Sequence, residues 1–208
     1  LHHDSPECDA WFTRLVDSVG AEAPDFCILA GDLANVGLES SLLAVRDHFA
    51  RLECPVYTVP GNHDCDVEET TRLYSKVFPD RLNYRFRHKG WQFIGLDTTD
   101  GKEWQDTRIS PQTLDWLEKE VPRLEVELPS VVFTHFPLAE PIHMASLNAG
   151  EVWKRLAPLN IRAAFCGHFH GQHTVIFPPL VTTNVCCARV RGNFDGDPRK
   201  GFWMVEAG

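Results

Sequence analysis

The chain has 208 residues, 43% of them hydrophobic and 24% charged, with a formal net charge of −9. That length suits one sizeable domain that folds without staples, and the acidic balance speaks against broad binding to a nucleic-acid backbone. A small anionic substrate stays open, because bound cations can dominate the field of a pocket. No apolar run approaches the ~20 residues of a membrane helix. The seven cysteines show no disulfide-scaffold spacing, so a reducing, cytoplasmic setting is the default. The chain begins at Leu1, and a signal peptide ahead of it is left open.

The first predicted helix spans Asp9 to Val19, with Trp11, Phe12, Leu15, Val16 and Val19 at helical spacing. Asp25 to Ala30 reads as a strand, Leu38 to Leu52 as a helix with one apolar stripe, and Pro55 to Val59 as the next strand. Glu68 to Val77 reads as a helix ended before Pro79. Tyr84 to Arg87 and Trp91 to Leu96 flank Lys89-Gly90 as an antiparallel hairpin. Ser110-Pro111 opens a helix with Ser as N-cap, and Leu114, Leu117 and Val121 give its apolar side. Val131 to Thr134 is a strand, Glu151 to Leu156 a short helix and Ala163 to Cys166 a strand. Thr174 to Phe177, Leu180 to Val190 and Phe202 to Val205 read as extended segments. Cys27 and Cys166 fall in strands as small buried apolar residues, and the adjacent Cys186 and Cys187 read as packing residues.

Four polar clusters each follow an apolar run: Gly31-Asp32, Gly61-Asn62-His63-Asp64, Thr134-His135 and Gly167-His168-Phe169-His170. Short apolar runs beside glycine read as buried strands, and open α/β sheets carry their chemistry at the carboxyl ends of strands. Taken singly, each cluster has a bland explanation: Asp32 as a turn residue, His135 as a satisfied core histidine. Taken together they offer one rim the mix of carboxylate, amide and imidazole that suits a pair of divalent transition metals. His168 and His170 stand two apart, so an extended segment would point both the same way, with Phe169 facing the core.

The order resembles that of the calcineurin-like metallophosphoesterases, whose pattern runs D-x-H, G-D, G-N-H-[DE], a lone His, then G-H-x-H. The match runs from His2 to His170. It implies an α/β (α+β) fold, a four-layer αββα sandwich of two mixed sheets flanked by helices, in a single domain over residues 1–208. It also implies two divalent metal ions of Mn, Fe or Zn type. Leu1-His2 stands for the last two positions of the first motif, with its Asp expected just ahead of Leu1. His3 competes for that histidine; His2 is preferred because apolar Leu1 then leaves a strand. In the family's roles Asp32 bridges the metals. His2 and His170, with the missing Asp, complete the first position, and Asn62, His135 and His168 the second. His63 stands over the phosphate and protonates the leaving oxygen after attack by a hydroxide held between the metals, with Asp64 as its orienting partner.

Leu96-Asp97-Thr98-Thr99, the helix carrying Trp116-Leu117-Glu118, and His135-Phe136-Pro137 followed by His143 resemble the class III cyclic-nucleotide and glycerophosphodiester phosphodiesterases. Trp116 itself reads as core packing, and His143 either lines the substrate pocket or covers a turn. A phosphodiester is therefore the expected small substrate. Phosphomonoesters and nucleotide pyrophosphates are the alternatives within the family, nucleic acid is the least supported, and a homodimer is left open. A non-catalytic binding protein on this fold is the alternative should the first motif lack its Asp. A zinc-stabilised structural domain is disfavoured, since no cysteines stand in a Cys-x-x-Cys pair.

Overall fold

In a computed structural model, residues 1–139, 142–171, 173–177, 180–184 and 200–207 are described. The chain order is α1 (Asp9–Ala21), β1 (Cys27–Ala30), α2 (Glu39–Phe49), β2 (Val56–Val59), α3 (Arg72–Val77), β3 (Tyr84–His88), β4 (Trp91–Gly95), α4 (Pro111–Glu120), β5 (Pro129–Phe133), α5 (Ala149–Leu156), β6 (Asn160–Cys166), β7 (His173–Phe177) and β8 (Leu180–Asn184). Strands β1 and β2 pair in parallel as a two-stranded sheet. The other six order as β3-β4-β5-β6-β8-β7, parallel from β4 through β8 and antiparallel at both ends.

Period-2 alternation sorts the strand side chains into layers. Phe93, Val131 and Phe133 face inward against Ile28, Tyr57 and Val59 of the small sheet. Their neighbours Ile94 and Val132 face outward against Leu117 of α4 and Val152 and Leu156 of α5. On the far side, Leu29 of β1 meets Phe12 and Val16 of α1, Leu42, Val45 and Phe49 of α2, and Tyr74 of α3. The result is the expected four layers, helices–sheet–sheet–helices. Tyr57, Phe86 and Phe93 form a continuous ring stack between the sheets, with centroids 3.6 and 4.8 Å apart. Phe93, the buried member, stabilises by roughly 1.5–3 kcal/mol on burial.

Three local expectations are corrected. The helix predicted from Glu68 starts only at Arg72. The Asp66 carboxylate accepts from the Glu68 and Thr70 amides and the Thr70 hydroxyl, closing a turn in which Glu69 has φ +60°. Residues 167–171 are not extended: the Phe169 amide donates to Gly167 O and the Gly171 amide to Phe169 O, and His168 has φ +67°. Phe202 to Val205 joins no strand among the described residues and is exposed; an unbroken apolar run has no built-in face, so pairing rests on tertiary context. Residues 185–190, with Cys186 and Cys187, lie outside the described residues. No described helix is long and apolar enough to cross a membrane.

Candidate metal centre

The loops after β1, β2, β5 and β6 meet at one rim around the Asp32 carboxylate. Asp32 is buried, and its Oδ1 accepts the His63 amide at 3.0 Å. His135 Nε2 lies 3.3 Å from Oδ1, and His2 Nε2 lies 3.5 Å from Oδ2. The two oxygens thus face two groups. One holds His135 and His168, whose Nε2 and Nδ1 are 3.1 Å apart. The other holds His2 and His170, whose Nε2 atoms are also 3.1 Å apart, with the His63 ring edge-on to His2 at 4.6 Å. The non-extended turn at residues 167–171 is what sends His168 to one side of Asp32 and His170 to the other.

Glycines permit this crowding. At Gly31, φ +81°, an added Cβ would lie 2.5 Å from His135 Nδ1, and at Gly61 it would collide with the Asp32 side chain and amide. Three of the converging residues, His2, Asp32 and His168, are themselves left-handed, at φ +59°, +51° and +67°. Non-glycine residues reach that region at a cost of about 1–3 kcal/mol each and cluster at functional sites.

Hydrogen bonds fix the imidazole tautomers. His135 Nδ1–H donates to Ala30 O at 2.8 Å, and His168 Nε2–H donates to Trp104 O at 2.7 Å. Each ring therefore turns its other nitrogen, the one bearing the lone pair, toward its neighbour and toward Asp32. Two lone pairs 3.1 Å apart beside a carboxylate repel unless a positive charge stands among them. Donor atoms bound at about 2.0–2.1 Å to one cation lie about 3.0–3.4 Å from each other, so the spacing matches a coordination shell. Asn62 is buried, and its Oδ1 has no hydrogen-bond donor; such an orphan costs about 1–3 kcal/mol unless something outside the chain satisfies it. The residues present thus fit divalent metal ions.

The electrostatics agree. Burial acts to raise the Asp32 pKa, but His135, His2 and His63 outweigh it and hold the carboxyl well below its usual range. Burial acts to lower that of His135, but the Asp32 carboxylate reverses the sign and the net shift is upward. A positive charge, proton or cation, is favoured there. Burial and the neighbouring His135 bring His168 down to about 3, so it stays neutral and able to ligate.

His63 Nδ1–H donates to Asn35 O at 2.6 Å, and one nitrogen of the ring lies within 4.8 Å of a His2 nitrogen and an Asp32 oxygen. This corrects the role expected of Asp64. Its buried carboxylate instead accepts the Ala34 amide at 2.8 Å and the Gly61 amide at 2.9 Å, tying together the loops that carry Asp32 and Asn62. No hydrogen bond joins it to the His63 ring. His143 is exposed and stands 5.5 Å from the Phe169 ring, at the rim and outside both groups. His3 joins neither group and turns to Asp9. Sequence reasoning missed Ala30, Asn35 and Trp104, which act through backbone carbonyls that any residue carries. Thr98, within the Leu96-to-Thr99 segment, accepts the Phe136 amide at 3.0 Å and so supports the turn carrying His135.

Residues 1–172 match the family model of the calcineurin-like phosphoesterases. The chain belongs to that family. Among curated members, a Fibrobacter succinogenes protein named as a probable cyclic nucleotide phosphodiesterase is 28% identical over 173 residues, covering 79% of this chain and 64% of that protein. A glycerophosphodiester phosphodiesterase GpdQ of Enterobacter lignolyticus is 27% identical over 201 residues, covering 85% of this chain and 70% of the relative. The chain thus spans about two thirds of these relatives' length. The crystal structure of a dimetal phosphatase from Danio rerio superposes with a TM-score of 0.67 at 16% identity, covering 86% of this calcineurin-like chain and 78% of the other. At that identity the likeness shows the fold alone.

Proposed function

We propose that this chain is a metal-dependent phosphoester hydrolase that holds two divalent cations across Asp32 and cleaves a phosphodiester. The observation that carries the reading is the pair of lone-pair nitrogens of His135 and His168, 3.1 Å apart beside the Asp32 carboxylate, with the orphaned Asn62 oxygen. Asn62, His135 and His168 would hold one cation. His2 and His170 would hold the other. Bound cations of this kind neutralise phosphate charge and activate water.

The residues divide the remaining work. Asn35 O holds His63 Nδ1–H, so that in the imidazolium form the second N–H, on Nε2, is free to protonate the leaving oxygen. An alkoxide leaves poorly without that proton, so the acid is worth about 10²–10⁴ in rate. Asp64 keeps the Gly61 and Ala34 loops in register, which sets His63 over the same side of Asp32 as His2. His143, at the rim beside Phe169, is placed to meet the part of the substrate beyond the phosphate.

The relatives' names make cyclic nucleotides and glycerophosphodiesters the first substrates to compare, with phosphomonoesters and nucleotide pyrophosphates as controls. Purified protein supplied with Mn²⁺ should cleave bis(p-nitrophenyl) phosphate, and chelation should abolish the activity. Absence of turnover with each of Mn, Fe and Zn would overturn the proposal.

A further inference from the structure

His3, the histidine left over from the first motif, belongs to a second cluster on the helical side of the chain. His3 Nε2 and His48 Nε2 both meet the same Asp9 Oδ1, at 3.0 and 3.1 Å, although they come from the N-terminal segment and from α2. Cys8 immediately precedes Asp9, and the ligand atoms of His3, Cys8 and Asp9 lie within 4.8 Å of one another. His3 and Cys8 are buried, and the side chain of His48 is only 15% exposed. A second nitrogen of His3, Nδ1, is buried with no hydrogen-bond partner. Two imidazoles, a thiol and a carboxylate are the donors of a four-coordinate zinc-type site.

We propose that His3, Cys8, Asp9 and His48 form a separate mononuclear site for a zinc-type cation that pins the segment presenting His2. A hydrogen-bonded relay would account for His3, Asp9 and His48 but gives no part to Cys8, whose thiol donates to Ser5 O at 2.8 Å. On metal binding the S–H bond breaks, the thiolate sulfur bonds the cation and the proton goes to solvent. The thiolate and the Asp9 carboxylate then balance the charge of one divalent ion, which suits a site with buried members. The mechanical link is short. His3 N donates to Leu33 O and His3 O accepts from Asn35 N, both at 2.8 Å, while His2 N donates to Asp32 O at 2.8 Å. A cation on His3 therefore holds the same backbone that offers His2 to one metal position and, through Asn35, orients His63.

The test is Co²⁺ and Zn²⁺ titration of the full chain after chelation, read by metal analysis and by absorption. The structure expects a sulfur-to-cobalt charge-transfer band in the near ultraviolet, lost in Cys8→Ser with metal content lower by about one ion per chain. His48→Gln, which leaves the thiol in place, should weaken Co²⁺ binding at this site and shift the band. Asp32→Asn, which disrupts the other centre, should leave the band intact, so failure here and failure of the dinuclear reading are separable. A wild-type protein without the band, or a band unchanged in both Cys8→Ser and His48→Gln, overturns the proposal. Circular dichroism of each variant distinguishes metal loss from unfolding.

Discussion

The two sides of Asp32 are built to different tolerances. On the side of His135 and His168, each imidazole spends its N–H on a main-chain carbonyl, Ala30 O or Trp104 O. Ring orientation and tautomer are settled before any cation arrives. On the side of His2, Nδ1 is buried without a hydrogen-bond partner, and the polar contacts of the ring are those of Nε2 with His170 and Asp32. Outer partners of this kind change metal affinity by about 10–100-fold. The contrast teaches that the His135 side is organised by the chain alone, whereas a cation on the His2 side would have to complete it.

The largest expected effect comes from removing what the sides share. Asp32→Asn should empty both positions and lower turnover by about 10³-fold or more, read by metal analysis and a phosphodiester assay. Next is His63→Ala: metal content stays, and rate falls by about 10²–10⁴, most for substrates with poor leaving groups. Loss of both metals in that variant would show that His63 ligates instead. Asn62→Ala addresses the asymmetry itself and should lower occupancy on the His135 side only. During graded chelation, metal should leave the His2 side first, and a reversed order would break the comparison.

Smaller effects fall on stability. Asp64→Asn replaces one of two acceptor oxygens with a donor facing an amide, so unfolding should need about 1–3 kcal/mol less, measured by denaturant titration. The pH dependence has a definite sign. Folded His168 sits at about 3, against 6.5 for the free side chain. Between those values the unfolded chain binds more protons, so the chelated protein loses stability as pH falls from 6.5 toward 3. Asp64 works the other way. Burial and the Asp32 charge raise its pKa from 3.8 to about 6, so its contribution is lost as pH rises through that window. The acid-side fall in melting temperature should therefore be shallower in His168→Ala and steeper between 3.8 and 6 in Asp64→Asn.

Much of the centre was legible because apolar runs ending in glycine are a local pattern with one structural meaning. The strands before Gly31, Gly61, His135 and Gly167 form nearly as read, and Ser110 caps α4 by accepting the Thr113 amide. The misreadings share a cause. Asp66 delays α3 through side-chain bonds to its own loop. The turn at residues 167–171 departs from the extended path that a two-residue spacing suggested. The anchors of His63, His135 and His168 are carbonyls, and a carbonyl has no letter in a sequence. Asp9 meets His3 across 6 residues and His48 across 39, and the second separation is one no local window spans.

The left-handed backbone at His2, Asp32 and His168 reaches beyond the rim where it sits. Three such residues together withhold several kcal/mol from the folded chain, at about 1–3 each. A cation that binds only the folded arrangement returns stability that grows with the logarithm of its free concentration over its dissociation constant. Under the dinuclear reading, heat resistance would be set partly by the medium: a trace-metal-poor buffer should act as a mild denaturant, and melting temperature should serve as a gauge of metal supply.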